Sequence, residues 1–169
     1  MLTLIIKGLE NEKVKSEYIK GNSIIYHEKK LATIQHQQGE VVFQIHPQLD
    51  MAEYEIIREL ILPIADSEGV LIDESGCQLG YLETGEKAYL IKNWEPWKAF
   101  LMKAKLRTLE GQNVIVKNEE EEELGNGLLA EYQINSDPFR LTSITLITTF
   151  GEKTFKGKNL LIEPTNLFG

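Results

Sequence analysis

Residues 2–7, 23–27, 31–36 and 41–46 read LTLIIK, SIIYH, LATIQH and VVFQIH. Each is a strand-length apolar run, and turn residues or charges separate them. Such runs, rich in Ile and Val, predict extended chain. Gly39 marks the turn between the last two. With residues 38–39 as a two-residue turn, Ile34 faces Phe43 and Ala32 faces Ile45. That register puts the apolar side chains on one face, which is what fixes a strand pairing.

The period then changes. LDMAEYEIIRELIL, residues 49–62, carries Tyr54, Ile57, Leu60 and Ile61 at helical spacing. Asp50 with Glu53 three positions later forms a capping box, and Leu49 with Tyr54 a hydrophobic staple. The helix is expected to stop at Pro63. Residues 69–72, 77–82 and 87–92 return to strand-like composition and predict a meander, with turns at DESG and ETGE. KNWEPW, residues 92–97, is the clearest boundary, because Pro96 suits the first turn of a helix and would interrupt a strand. A second helix is expected over 96–109, with Trp97, Phe100, Leu101 and Ala104 as its apolar stripe. Five strand-like pieces follow at 113–117, 127–134, 140–150, 153–155 and 159–163. The fold class is therefore α+β: an antiparallel β-rich domain with one helix over 1–93, then a helix and a small five-stranded barrel over 94–169.

Composition excludes more than it identifies. A net charge of -8 disfavours unspecific attraction to nucleic acid or anionic lipid. Cys77 is the only cysteine, so no internal disulfide forms, and a lone thiol suits a reducing compartment. The N-terminal residues lack the basic start, long apolar centre and cleavage site of a signal peptide. No apolar run approaches the roughly 20 residues that span a bilayer. The expectation is a cytoplasmic protein.

Three segments carry a resemblance. LEGQNVIVK (109–117), GLLAEY (127–132) and FKGKNLLIEP (155–164) resemble strands one, two and five of the Sm-like family of small SH3-type barrels. A helix followed by five short bent strands is the family's pattern. The resemblance covers about 65 residues and implies a strongly bent sheet, ring-forming or edge-to-edge pairing between copies, and single-stranded RNA binding in loops. The RNA-contacting positions it implies are Asn135, Arg140, Lys156, Gly157 and Lys158. Two departures stand against RNA: Gln133 follows Tyr132 where binding members carry Asp, and Asn135 is out of register with their Asn.

Residues 119–123 are five consecutive glutamates. Adjacent carboxylates repel and lack the alternating carbonyl donors of a calcium turn, so the run reads as a solvated loop between two strands. A docking surface for a basic partner is the sharper alternative, and the helix over 98–107 is a local candidate. His27, His36 and His46 suggest zinc, but strand alternation puts His36 and His46 on opposite faces. Cys77 has no histidine near it in sequence and reads as a packed thiol rather than a nucleophile. Asp73, Glu74 and Ser75 are explained by turn chemistry. GKN at 157–159 lacks the rest of a phosphate loop. Trp94 and Trp97 fit a packed joint better than base stacking.

No catalytic, cofactor or metal constellation emerges. The leading expectation is a non-enzymatic protein-interaction or self-assembly module. An Sm-like single-stranded RNA binder comes second, and a small hydrolase using His27 or Cys77 comes last. A protein partner or self-association is expected, and no membrane.

Overall fold

The hairpin register expected around Gly39 is the one adopted in the computed structural model, which describes residues 1–8, 16–37, 39–136 and 138–167. Gln38 itself lies outside the described residues. The chain is α+β, with two helices and antiparallel sheets among the described residues. It divides into two compact units, Met1–Trp94 and Glu95–Gly169.

The first unit contains β1 (Leu2–Lys7), β2 (Ile19–Lys20), β3 (Ser23–Tyr26), β4 (Lys29–Gln37), β5 (Glu40–Ile45), α1 (Met51–Ala65), β6 (Leu71–Gly76), β7 (Gln78–Tyr81) and β8 (Lys87–Tyr89). Six strands form one sheet in the order β2-β3-β4-β5-β1-β6. Ala32 pairs with Ile45 and Ile34 with Phe43, and all four side chains are buried. The β3–β4 turn is His27-Glu28, with φ of 43° and 64°. Two consecutive positive φ values are what a tight two-residue hairpin requires.

Helix α1 begins as expected. Asp50 accepts the Glu53 backbone N–H at 2.8 Å, and Glu53 Oε2 accepts the Asp50 N–H at 2.9 Å. The same Glu53 oxygen accepts Lys29 Nζ from β4 at 2.7 Å, which ties the helix start to the sheet. Tyr54, Ile57 and Ile61 are buried on its inner face. The helix does not stop at Pro63 but runs to Ala65. A proline ring there removes one hydrogen bond, the one to the carbonyl four residues earlier, while the helix end is capped by Asp66 N–H to the Leu62 carbonyl and Ser67 Oγ to the Pro63 carbonyl.

The expected meander is also corrected. DESG is not a turn: it belongs to β6, which pairs with β1 at the edge of the large sheet. β7 and β8 form a separate two-stranded sheet. The Glu74 carboxylate links the two, accepting the backbone N–H groups of Ile91 at 2.8 Å and Lys92 at 2.9 Å.

The second unit takes up α2 (Trp94–Leu109) from its second residue, then β9 (Asn113–Lys117), β10 (Glu123–Ser136), β11 (Phe139–Thr148), β12 (Gly151–Lys156) and β13 (Leu161–Pro164). The sheet order is β12-β11-β10-β9-β13. Its core joins Leu106 and Leu109 of α2 to Val114, Val116, Leu129, Leu141, Ile144, Leu146 and Leu160. The expected helix stripe is thus partly wrong. Ala104 is exposed, and Leu106 and Leu109 supply the contact with the sheet.

This sheet is bent hard. The β10–β11 ladder shifts register between Leu129 and Glu131 and again between Gln133 and Ile134, and β10–β9 shifts between Glu123 and Gly125. Each bulge increases local twist and bend. As a result, Phe155 on edge strand β12 reaches Gly125 on β10, two strands away. A Cβ on Gly125 would lie 2.6 Å from the end of the Phe155 ring, so any larger residue there must displace the ring. A Cβ on Gly157 would lie 2.8 Å from the end of the Leu160 side chain, which would have to shift to admit it.

Candidate functional site

The residues implied in RNA contact fall in two places on the second unit. Asn135 and Arg140 are direct cross-strand partners near the β10–β11 turn, and both are exposed. Lys156 ends β12 opposite Ser143, three positions along β11 from Arg140. Leu141 and Ile144 enter the core, as does Phe155 in part, so Arg140 and Lys156 project from the outer surface of adjacent strands. Lys158 is exposed in the β12–β13 connection. Gly157 lies between them, its N–H donated to the Thr142 carbonyl at 3.1 Å. Its presence is explained by Leu160 packing, without a ligand. Asp137 lies outside the described residues.

The glutamate run is divided by the fold. Residues 119–122 make the β9–β10 turn, and Glu123 already belongs to β10, opposite Lys117. All five glutamates are exposed. Asn118 holds the turn closed. Its Oδ1 accepts the N–H groups of Glu120 and Glu122 at 3.0 and 2.8 Å, and its Nδ2 donates to the Glu122 carboxylate at 2.7 Å. Glu121 takes a φ of 63° to complete the reversal. Carboxylate repulsion is thereby tolerated in an ordered turn, because one amide side chain anchors its backbone. Lys117 stands at the base of this turn and pairs with Glu163 of β13 at 2.6 Å. The Glu163 carboxylate raises the Lys117 ammonium above its ordinary range, with the charges of Glu121 and Glu123 adding to the effect.

The remaining candidates separate in space or are occupied by packing. His27, His36 and His46 are all exposed. His27 sits in the β3–β4 turn with its ring against Tyr26 at 4.0 Å, and His46 Nδ1 accepts the Gln48 N–H at 3.2 Å. No group of three or more His, Cys, Asp or Glu side chains suited to a metal ion exists among the described residues. Cys77 is fully buried, and burial, with help from Glu74, pushes its thiol up to about 12. A thiol so held stays protonated at neutral pH and is a poor nucleophile. Trp94 and Trp97 are 1% and 8% exposed, so neither offers a face to a base. Arg58 lies 5.9 Å from the Trp94 ring centroid, in cation–π range. Among the described residues, no helix is long and apolar enough to cross a membrane.

Two surface features of the second unit remain, the first expected from its strand-rich sequence and the second not. Both outer strands of the five-stranded sheet, β12 and β13, have one free edge. Beside them, Phe150 is 99% exposed at the tip of the β11–β12 hairpin. Thr148 fixes that tip, its hydroxyl accepting the Phe150 N–H at 3.1 Å and donating to the Gly151 carbonyl at 2.9 Å. The expected strand over 140–150 instead ends at Thr148, and Thr149 and Phe150 of TTFGE make a two-residue turn before Gly151.

Comparison with protein-family models, curated proteins and solved structures found no match.

Proposed function

We propose that this chain is a non-enzymatic interaction or self-assembly module whose second unit is a small Sm-like barrel. The observation that carries the reading is the pair of open edges on one strongly bent sheet. Strand β12 presents six residues and β13 four, each with a row of backbone groups facing away from the sheet. Unpaired edges invite strand addition unless something blocks them. Pro164 ends β13 and limits how far a partner strand can extend there. Two unlike edges on one copy allow head-to-tail pairing, which closes into a ring when the rotation permits. The helix before five bent strands is what the family resemblance implies.

Light scattering after size-exclusion chromatography tests the reading. A mass at a multiple of the 19.3 kDa chain is expected. Proline placed in turn at Lys153 and Thr154 then separates edge from ladder. At the position whose N–H faces outward, proline gives a folded monomer; at its neighbour it breaks a β11 bond and destabilises the fold. A monomer at every concentration, with no mass change on adding proline, contradicts self-assembly.

A second reading has an observation of its own. Arg140, Lys156 and Lys158 are exposed on neighbouring strands and their connection, and cations so grouped can follow a phosphate backbone. Single-stranded RNA binding should then be weak and steeply salt-dependent. Absence of a mobility shift with mixed oligonucleotides at low salt removes this reading.

A further inference from the structure

We propose that the open edge of β12 pairs antiparallel with β12 of a second copy of this chain, across a two-fold axis through Thr154. The inference rests on the self-assembly reading and names its partner. Strand β12 ends the five-stranded sheet, with β11 on one side only. All of its residues except Phe155 are exposed.

The two faces of the strand carry different chemistry. Phe155 pairs with Ile144 and Lys153 with Leu146, so both point to the core side. Glu152, Thr154 and Lys156 stand opposite Ile147, Thr145 and Ser143 and point outward. Lys153 Nζ lies 5.0 Å from the centroid of the Phe155 ring. A charge on the core side of an edge strand discourages the addition of an ordinary apolar strand. A strand accepted here has to offer Lys153 something better than an aliphatic side chain.

Alternation limits how β12 can meet a copy of itself. Directly opposed residues in an antiparallel pair point to the same face and share one hydrogen-bonding phase. Two identical strands therefore meet with a residue on the axis, not the bond between two residues. Centred on Glu152 or Lys153, like charges face each other. Centred on Phe155, only residues 154–156 pair within the strand; centred on Thr154, residues 152–156 do. In that last register Glu152 faces Lys156 of the second copy at both ends, and Thr154 faces its own counterpart. Lys153 faces the Phe155 ring of the second copy. Opposite charges and a cation beside an aromatic ring each favour their row. Continued past the strand, the same register carries the Phe150 tip, 99% exposed, toward Lys158 of the second copy.

Strand β13 is a poorer partner for this edge. Its core-side residues are Ile162 and Pro164, opposite Val116 and Val114, so a head-to-tail contact sets Lys153 against an aliphatic side chain or a proline. The β12 edge is self-complementary and selects the symmetric contact. A ladder this short buries little area, so association depends on concentration, and its exposed ion pairs weaken with salt.

Light scattering of the full chain at low salt, over a range of concentrations, tests the pairing. The wild type should reach twice the 19.3 kDa chain mass. Glu152→Lys sets lysine against Lys156 of the second copy at both ends, and Lys156→Glu sets glutamate against Glu152. Each should weaken dimerisation about tenfold or more, the effect of replacing attractive pairs with repulsive ones. Both positions are exposed, so the fold should tolerate either change. An equimolar mixture of the two single variants should recover wild-type association, because each row of the mixed pair again joins opposite charges. The double variant with Glu152→Lys and Lys156→Glu should recover it as well. A wild-type chain that stays monomeric at every concentration overturns this inference together with the self-assembly reading. Self-association that both single variants leave unchanged, that mixing does not restore, or that settles at an odd number of chains overturns the two-fold pairing alone and leaves assembly through other surfaces.

Discussion

The two sheets of this chain handle the same problem, a row of apolar side chains that must leave water, in different ways. In the centre of the six-stranded sheet, β4–β5 and β1–β5 each run for six consecutive pairs without a shift, the shifts being confined to β3–β4 and β1–β6 on either side, and a separate helix buries Tyr54, Ile57 and Ile61 in that unit. In the five-stranded sheet, β10 spans 14 residues and is broken by three register shifts against its two neighbours. There the sheet covers much of its own core, with Phe155 on an edge strand folding over Gly125 and α2 adding Leu106 and Leu109. A regular ladder needs an outside cover, whereas a bulged one supplies part of its own. The proposed assembly edges belong to the bulged sheet.

The largest expected effect is in the regular sheet. Phe43→Ala removes a fully buried ring from its centre and should cost about 3–5 kcal/mol of that unit's stability, read by urea denaturation. A loss below about 1 kcal/mol would mean the regular sheet is not packed as described. In the bent sheet, Gly125→Val should cost about 1–3 kcal/mol by pressing on the Phe155 ring. Phe155→Ala in the same chain should recover part of that loss, and a purely additive double-mutant cycle would separate the two residues.

Glu53→Gln sharpens the comparison at the helix that covers the regular sheet. It weakens both the capping box and the Lys29 pair, so a loss of about 1–2 kcal/mol is expected. Lys29 and the Asp50 N–H hold the Glu53 carboxyl below the ordinary glutamate range. A lowered folded value stabilises fully above the unfolded value and is lost as pH falls through the folded one. Wild type should therefore lose this contribution on acidification below the ordinary glutamate range, while the Gln variant shows a flatter profile across that window. The smallest effect belongs to Phe150→Ser, which should change stability by no more than about 0.5 kcal/mol, since the ring is 99% exposed. Loss of self-association in that variant would assign the hairpin tip to the interface.

What could be read from the residues was local. The Ile34–Phe43 register followed from one turn and one alternation, and the α1 cap from Asp50 and Glu53. Errors arose where tertiary context outweighs local chemistry. Asp73, Glu74, Ser75 and Gly76 have turn composition, yet β1 needs a partner along its second edge and recruits them as β6. Pro63 fits inside α1 because the last turn has few bonds to lose. The contact between Tyr132 and Glu110 was not legible at all: the two are far apart in sequence, and the fold brings the Tyr132 hydroxyl to the Glu110 carboxylate.

The fold-back of the second sheet over its own strand is measured most directly by the nuclear Overhauser contacts of the Phe155 ring. The account predicts cross-peaks from the ring protons to the Gly125 α-protons, alongside ordinary β11–β12 ladder contacts such as Ile144 to Phe155. Intact ladder contacts with no Phe155–Gly125 cross-peak would mean an open, flatter sheet, and would contradict the account.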